Sequence, residues 1–310
     1  MDKIAYLFAG QGSQYVGMGK DLYESFPESK AIFDKADKVL GFSLSDLCFQ
    51  GPAERLKSTV ISQPAILTTT IAAYEAFKSA VSCQLSADSY MAGLSLGEYS
   101  ALIAAGSLSF EDGLRLIRKR AELMEEASFR YPGKMAAILD LSVEKIKNIC
   151  LQSGAQVANL NCPCQIVITG KTEAVDKAKN LCLEAGAKRV IDLEVSGGFH
   201  SSLMFEASVD LKAFLEKLLM LPPQVPVVSN YTALPQYRIT QIQENLVYQM
   251  RCSVRWEDSM KFLLSEGINN FIEFGPGKVL KGLMRRIEPS AQVINIEKKE
   301  DILQRTVNNV

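Results

Sequence analysis

The spacing of apolar and polar positions changes several times along the chain, and each change marks an element. Lys3 to Ala9 is an apolar run short enough for a buried strand, and it leads into a glycine-rich turn at Gly10–Gln14. Ala87 to Ala92 reads as a second short strand, and Gly97 to Ala105 as a helix stopped by Gly106. Residues 63–80 and 110–128 carry helical periodicity, the latter opened by Ser109 as N-cap ahead of Glu111 and Asp112. Shorter elements then take over: a strand at 135–141, a helix at 143–152, strands at 156–160 and 165–169 around Cys162-Pro163, a helix at 173–185 and a strand at 189–195. That βαββαβ order is the split unit of a ferredoxin-like subdomain. Val225–Ser229 and Asn270–Phe274 read as core strands, each followed by a helix, with Gly275-Pro276-Gly277 turning the chain after the second. Alternating strands and helices predict an α/β protein with a mostly parallel sheet. The expected organisation is a discontinuous main domain, 1–130 and 197–310, with a ferredoxin-like subdomain at 131–196 inserted in it.

Composition narrows the function more than the fold. The chain has 310 residues, 47% of them apolar, a formal net charge of −1 and a single histidine. A balance so near neutral argues against broad nucleic-acid or membrane binding, so an anionic partner must be met by a local basic patch. No run reaches eighteen apolar residues, and the first apolar stretch, Ile4 to Ala9, is too short for a secretory core. The expectation is a cytoplasmic protein, or one of an organelle matrix or stroma after loss of a transit segment. Seven cysteines lack a paired framework, and Cys162-Pro163-Cys164 lacks the spacer of redox or zinc motifs. They read as reduced packing residues. One histidine excludes a histidine-rich metal site. The N-terminal turn would need its third glycine at Tyr15 to match a dinucleotide fingerprint, so nucleotide binding is disfavoured.

Chemistry concentrates at two places. Gly93-Leu94-Ser95-Leu96-Gly97 is a GxSxG turn between a predicted strand and a predicted helix. Such a turn exposes a serine hydroxyl at a helix N-terminus, where free N–H groups favour developing negative charge. The only imidazole available as its base is His200, on the glycine-flanked segment after the strand at 189–195. Alone, a serine with a histidine also fits an esterase or thioesterase, but such enzymes use a third, acidic member, and Asp192 and Glu194 adjoin His200 on one strand. A non-catalytic binding module that keeps the fold is the other alternative.

Six blocks then occur in order: GQGSQ at 10–14, GLSLGEYSAL at 93–102, RKRAELM at 118–124, GGFHSSLM at 197–204, QMRCSVRW at 249–256 and EFGPGKVLKGL at 273–283. Together they resemble the malonyl-CoA:acyl carrier protein transacylases over essentially the whole chain. The resemblance implies an α/β-hydrolase-like core and transfer of a malonyl group from malonyl-CoA to the phosphopantetheine thiol of acyl carrier protein. It implies a ping-pong course through a malonyl-serine at Ser95, with His200 as base and then acid. The oxyanion hole would be the backbone N–H groups of Gln11 and Leu96. One thioester replaces another, so no cofactor is expected; malonyl-CoA is substrate, acyl carrier protein is partner, and the expected state is a monomer. Asn161 and Gln249 match positions near the cleft, with Gln249 in the region that orients His200. Three departures stand out: Leu94 where histidine is usual, Ala121 where glycine is common, and Ser253 where proline is common. The pathway, fatty acid or polyketide, stays open, with fatty acid synthesis the expected one.

Two basic features need choosing between alternatives. On a wheel of about 100° per residue, Leu114, Ile117, Ala121 and Met124 form the buried stripe of the 110–128 helix, Arg115 and Lys119 lie opposite, and Arg118 and Arg120 flank it. Periodicity leaves those two tied; the resemblance selects Arg120, whose planar fork can hold a carboxylate through two bonds. After residue 277, Lys278, Lys281 and Arg285 share a helix face at i, i+3 and i+7. That face is a candidate for docking an acidic carrier, and is also what an ordinary solvated helix shows.

Overall fold

The computed structural model describes residues 3–81 and 88–307. Among the described residues ten strands form two separate sheets. The larger takes β1 (Ile4–Phe8), β2 (Tyr90–Gly93), β7 (Val227–Val228), β8 (Pro235–Gln236), β9 (Asn270–Phe274) and β10 (Gln292–Ile296). Its order is β10-β9-β1-β2-β7-β8, parallel throughout except for the edge strand β8. The smaller sheet takes β3 (Gly133–Leu139), β4 (Gln156–Cys162), β5 (Gln165–Lys171) and β6 (Arg189–Asp192), antiparallel in the order β4-β5-β3-β6. Helices Val143–Ser153 and Thr172–Glu184 complete the predicted βαββαβ sequence.

The strands of the larger sheet are apolar on both faces because helices cover both. Ala5, Leu7 and Ala92 pack under Trp256, Met260 and Leu280. Tyr6, Phe8 and Phe274 pack on the other side against Tyr74 and the long helix Thr59–Ala80, which is buried over most of its circumference. β1 connects to β2 on one side, whereas β9 returns to the opposite side of β1. Loops leaving the carboxyl ends of β1 and β2 therefore face one crevice, the usual place for a ligand in such sheets.

Several expectations are corrected. Val225–Ser229 shrinks to the two residues of β7, and the chain next makes the hairpin strand β8 before the helix Ile239–Arg251, not a helix directly. The Ser229 hydroxyl accepts the amides of Tyr231 and Thr232, a turn that ends the strand early. The strand ending at 195 stops at Asp192. Of the second predicted strand, Ala87 lies outside the described residues, and pairing begins at Tyr90. The basic helix is Val279–Ile287, so Lys278 is its cap and not a member. No helix of the described residues is long and apolar enough to cross a membrane.

Candidate active site

Ser95 stands immediately after β2, at the start of the helix Leu96–Ala104, with φ 52°. That left-handed backbone costs a non-glycine residue about 1–3 kcal/mol and persists only where the surroundings enforce it. Here they do. A Cβ on Gly93 would run into the Gly97 carbonyl, and one on Gly97 into the carbonyl oxygen of Phe8, so strand and helix approach at a distance only glycines permit. The Ser95 amide donates to Asn230 Oδ1 (2.6 Å), whose Nδ2 donates to the Gly93 carbonyl (2.7 Å). Leu96 is the first residue of the helix, and its N–H belongs to the four without an intrahelical acceptor.

His200 reaches Ser95 from the segment that follows β6. Ser95 Oγ and His200 Nε2 are 2.8 Å apart, and His200 Nδ1 is 2.7 Å from the backbone carbonyl of Gln249. A carbonyl there requires the proton on Nδ1, leaving Nε2 as the acceptor for the serine proton. Asp192 and Glu194 do not brace the ring: Asp192 pairs with Lys179 at 2.7 Å and Glu194 with Lys57 at 2.8 Å. The pair is thus a dyad oriented by a backbone carbonyl. Burial, and then the guanidinium of Arg120, push the imidazole down to about 4, against the Gln249 bond that favours protonation. At neutral pH the ring is neutral and able to take a proton.

Arg120 resolves the tie left by periodicity. It is 1% exposed, whereas Arg118 lies half-buried at the rim, bonded to Glu122 (3.0 Å) and the Leu40 carbonyl (2.9 Å). The Arg120 guanidinium lies over the Tyr99 ring and donates to Gln63 Oε1 (2.7 Å), Ser95 Oγ (3.0 Å) and Gln249 Oε1 (3.3 Å). These acceptors are neutral oxygens, so a buried cation points at the Ser95 hydroxyl with no carboxylate among its hydrogen-bond partners. Such an arrangement is costly unless an anion completes it.

Gln249 is the hub of the site. Its side chain accepts from Arg120 and donates to the Ser95 carbonyl (2.9 Å) and to Glu98 Oε2 (2.8 Å), while its own carbonyl holds His200. Gln11 lines the same cleft of about 380 Å³ as Ser95 and His200, together with Leu94 and Phe199. Asn159 lines this cleft as well; Asn161, two residues further along β4, is buried but is not part of its wall, and its Oδ1 has no hydrogen-bond partner. Lys278, Lys281 and Arg285 are exposed, away from the cleft lining. Sequence reading missed Gln63, Asn230 and Glu98. The available signal was one acid inside an otherwise apolar helix, GEYSALIA at 97–104.

A serine held open at a helix N-terminus, a neutral imidazole on its hydroxyl and a cleft in front describe an acyl-transferring site. The acyl transferase domain family matches residues 5–302. The malonyl CoA-acyl carrier protein transacylase of Bacillus subtilis (strain 168) is 47% identical over 307 residues, covering 97% of this chain and 96% of that protein. Among solved structures, the malonyl CoA-acyl carrier protein transacylase of Coxiella burnetii superposes with a TM-score of 0.94 at 35% identity, covering 99% of this chain and 97% of that one. A type II PKS acyl-carrier protein in complex with its malonyl-transacylase gives 0.94 at 36% identity, covering 99% and 100%. The chain is an acyltransferase and belongs to this family, among the malonyl CoA-acyl carrier protein transacylases.

Proposed function

We propose that the protein moves a malonyl group from malonyl-CoA to the phosphopantetheine thiol of acyl carrier protein by a ping-pong course through malonyl-Ser95, supplying fatty acid synthesis. The observation that carries this reading is the buried Arg120 guanidinium 3.0 Å from Ser95 Oγ, beside a histidine 2.8 Å from the same oxygen. In the first half-reaction Ser95 Oγ attacks the thioester carbonyl as His200 Nε2 takes its proton. The N–H groups of Leu96 and Gln11 receive the oxyanion. The tetrahedral intermediate collapses, the C–S bond breaks, and His200 returns the proton to the departing coenzyme A sulfur. In the second half the carrier thiol gives its proton to His200 and attacks the malonyl ester carbonyl, the C–O bond to Ser95 breaks, and His200 returns the proton to Ser95 Oγ. Throughout, Arg120 holds the malonyl carboxylate, exchanging neutral partners for a charged one.

The site residues needed are those of the chain itself, and no cofactor enters any step. The folded order β4-β5-β3-β6 supports reading residues 131–196 as a ferredoxin-like subdomain set into a hydrolase-like core made of 1–130 and 197–310. Leu94 removes one polar group from beside the nucleophile and adds apolar wall to the cleft. The carrier is read as docking on the exposed face of Lys281 and Arg285, whose helix is fixed by Glu273 accepting the amides of Leu280 and Lys281 at 2.9 Å each. The protein is read as a cytoplasmic monomer. The test is incubation with malonyl-, methylmalonyl- and acetyl-CoA, each with and without phosphopantetheinylated carrier. Malonyl transfer exceeding both hydrolysis and acetyl transfer is the expected result. Release of free malonate whether or not carrier is present would make the protein a thioesterase.

A further inference from the structure

Glu98 is fully buried three residues after the nucleophile, and no step above uses it. Its carboxylate accepts three hydrogen bonds: Oε2 takes the Asn230 amide (3.0 Å) and Gln249 Nε2 (2.8 Å), and Oε1 takes Gln236 Nε2 (2.7 Å). Gln236 is in turn oriented by Asn245 Nδ2 (2.9 Å). Four elements meet on this one side chain: the nucleophile helix, the turn after β7, the edge strand β8 and the helix Ile239–Arg251.

The partners of Glu98 are the residues that hold the reacting pair. Asn230 binds the Ser95 amide and the Gly93 carbonyl, clamping both ends of the strained turn. Gln249 binds the Ser95 carbonyl and Arg120 through its side chain and His200 through its backbone. The amide of Gln249 lies between a carboxylate on its nitrogen and a guanidinium on its oxygen, which fixes which way it faces. Were it to flip, its oxygen would meet Glu98 and its NH2 would meet Arg120, two repulsive contacts in a water-excluded site. Gln236 presents its NH2 to the carboxylate because Asn245 occupies its oxygen.

We propose that Glu98 is a positioning residue for the reaction: its buried carboxylate orients Asn230 and Gln249 and thereby sets the geometry between Ser95 and His200. The proposal rests on the reading that these two residues are the reacting pair. Burial pushes the Glu98 carboxyl up, the three donors and the Arg120 guanidinium pull it back toward the ionised form, and the balance lies at about 7. A donor-only surrounding suits an acceptor-only group.

Two properties separate this role from substrate recognition and from bulk stability. Setting the Ser95–His200 geometry affects every acyl group alike, whereas the loss of Arg120, which would hold the malonyl carboxylate, weighs on malonyl far more than on acetyl. And His200 is the only histidine, so in untagged protein its ring resonances report on it without assignment by mutation. The experiment compares wild type, Glu98→Gln and Glu98→Ala below their melting transitions. It reads the His200 ring by NMR and the single-turnover acylation of Ser95 by malonyl-CoA and acetyl-CoA. Glu98→Gln keeps one acceptor oxygen and turns a donor toward Gln236, and it serves as the folded variant should the alanine not fold.

The expected result is a shifted His200 resonance and an acylation rate constant lowered about tenfold in Glu98→Gln, more in Glu98→Ala. KM should change little, and the malonyl-to-acetyl ratio should be preserved. A folded Glu98→Gln with wild-type rates and an unmoved His200 resonance overturns the proposal, and so does a loss confined to malonyl. Ser95→Ala run alongside keeps the two claims apart: if it still acylates, the reacting pair is misread, whereas Glu98 is judged by the His200 resonance alone.

Discussion

Ser95 and His200 meet at 2.8 Å with similar left-handed backbones, φ 52° and 56°, yet they are held in opposite ways. The serine is fixed by its own neighbourhood, a strand and helix pressed together at Gly93 and Gly97 and clamped by Asn230. The histidine sits on a segment with no regular structure. It is tied to the small sheet by Thr169 Oγ1 donating to the Phe199 carbonyl (2.8 Å) and to the main body by the Gln249 carbonyl (2.7 Å). The serine is thus a feature of the parallel sheet, while the histidine is delivered at the seam between the sheets. The seam itself is tied where the Leu160 amide of β4 donates to the Val254 carbonyl, the Val254 amide donates to the Ala158 carbonyl, and Ser253 Oγ donates to the Val157 carbonyl. Serine there supplies a hydroxyl donor that proline would lack.

The comparison breaks first at the pair itself. Ser95→Ala should lower transfer by about four to six orders of magnitude, and His200→Ala by nearly as much, because residues that act as a unit fail together. Steady-state transfer assays on folded variants check this. A His200→Ala enzyme within tenfold of wild type would detach the base from the account.

The next largest effect separates recognition from chemistry. Arg120→Ala should weaken malonyl transfer by about 2–5 kcal/mol, the cost of removing one partner of a desolvated ion pair. Acetyl transfer should fall far less, since it offers no carboxylate. Parallel loss of both, measured as kcat/KM, would make Arg120 structural.

The local character of the serine side explains what the sequence disclosed. Ser95 was legible because its turn is written in five consecutive residues, and the βαββαβ segment because its elements are short and follow one another locally, with amphipathic helices between the strands. The helix stripe Leu114, Ile117, Ala121 and Met124 is fully buried as its period predicts. What escaped was long-range. Glu98, Asn230 and Gln236 are all fully buried polar residues, and a pattern that assigns polar positions to the surface is blind to them. Arg118 and Arg120 have equal claims on a wheel; the resemblance chose Arg120, and the approach of Tyr99 and Gln63 is the physical difference between them. β7 is shorter than the run Val225–Ser229 that announced it, β8 has only two residues and leaves no period, and β10 was missed where Asn295 interrupts its apolar run with a side chain bonded to the Gly277 carbonyl.

A pH profile sharpens the histidine side. With the imidazole at about 4, acylation should rise as pH passes upward through that value and be flat to neutrality. Because Arg120 is the second cause of the depression, its removal should move this rise toward the ordinary value of 6.5. The linked stability has the same direction: a folded pKa below the unfolded one gives stability that is complete above about 6.5 and lost as pH falls through about 4. NMR titration of the one histidine in Arg120→Ala and wild type measures the difference; an unchanged midpoint would remove the electrostatic coupling.

Smaller still is the tether. Thr169→Val, which keeps shape and removes the donor to the Phe199 carbonyl, should slow acylation about three- to tenfold, the worth of one buried hydrogen bond. Rates equal to wild type would mean the Gln249 carbonyl alone holds the ring. The smallest effect lies outside the cleft: reversing Lys281 and Arg285 to Glu should slow only the carrier-dependent step, about two- to threefold at low salt and less as salt rises. Equal slowing of both half-reactions would assign that face to coenzyme A phosphates instead.

The central claim is that Ser95 carries the malonyl group between the two thiols. Intact-mass analysis with peptide mapping after mixing the enzyme with malonyl-CoA alone, followed by addition of phosphopantetheinylated carrier, tests it directly. The account predicts one malonyl group on Ser95, absent in Ser95→Ala, which disappears on adding carrier as an equal amount of malonyl-carrier forms. Transfer without any covalent species on the enzyme, or a label that maps to another residue, would contradict it.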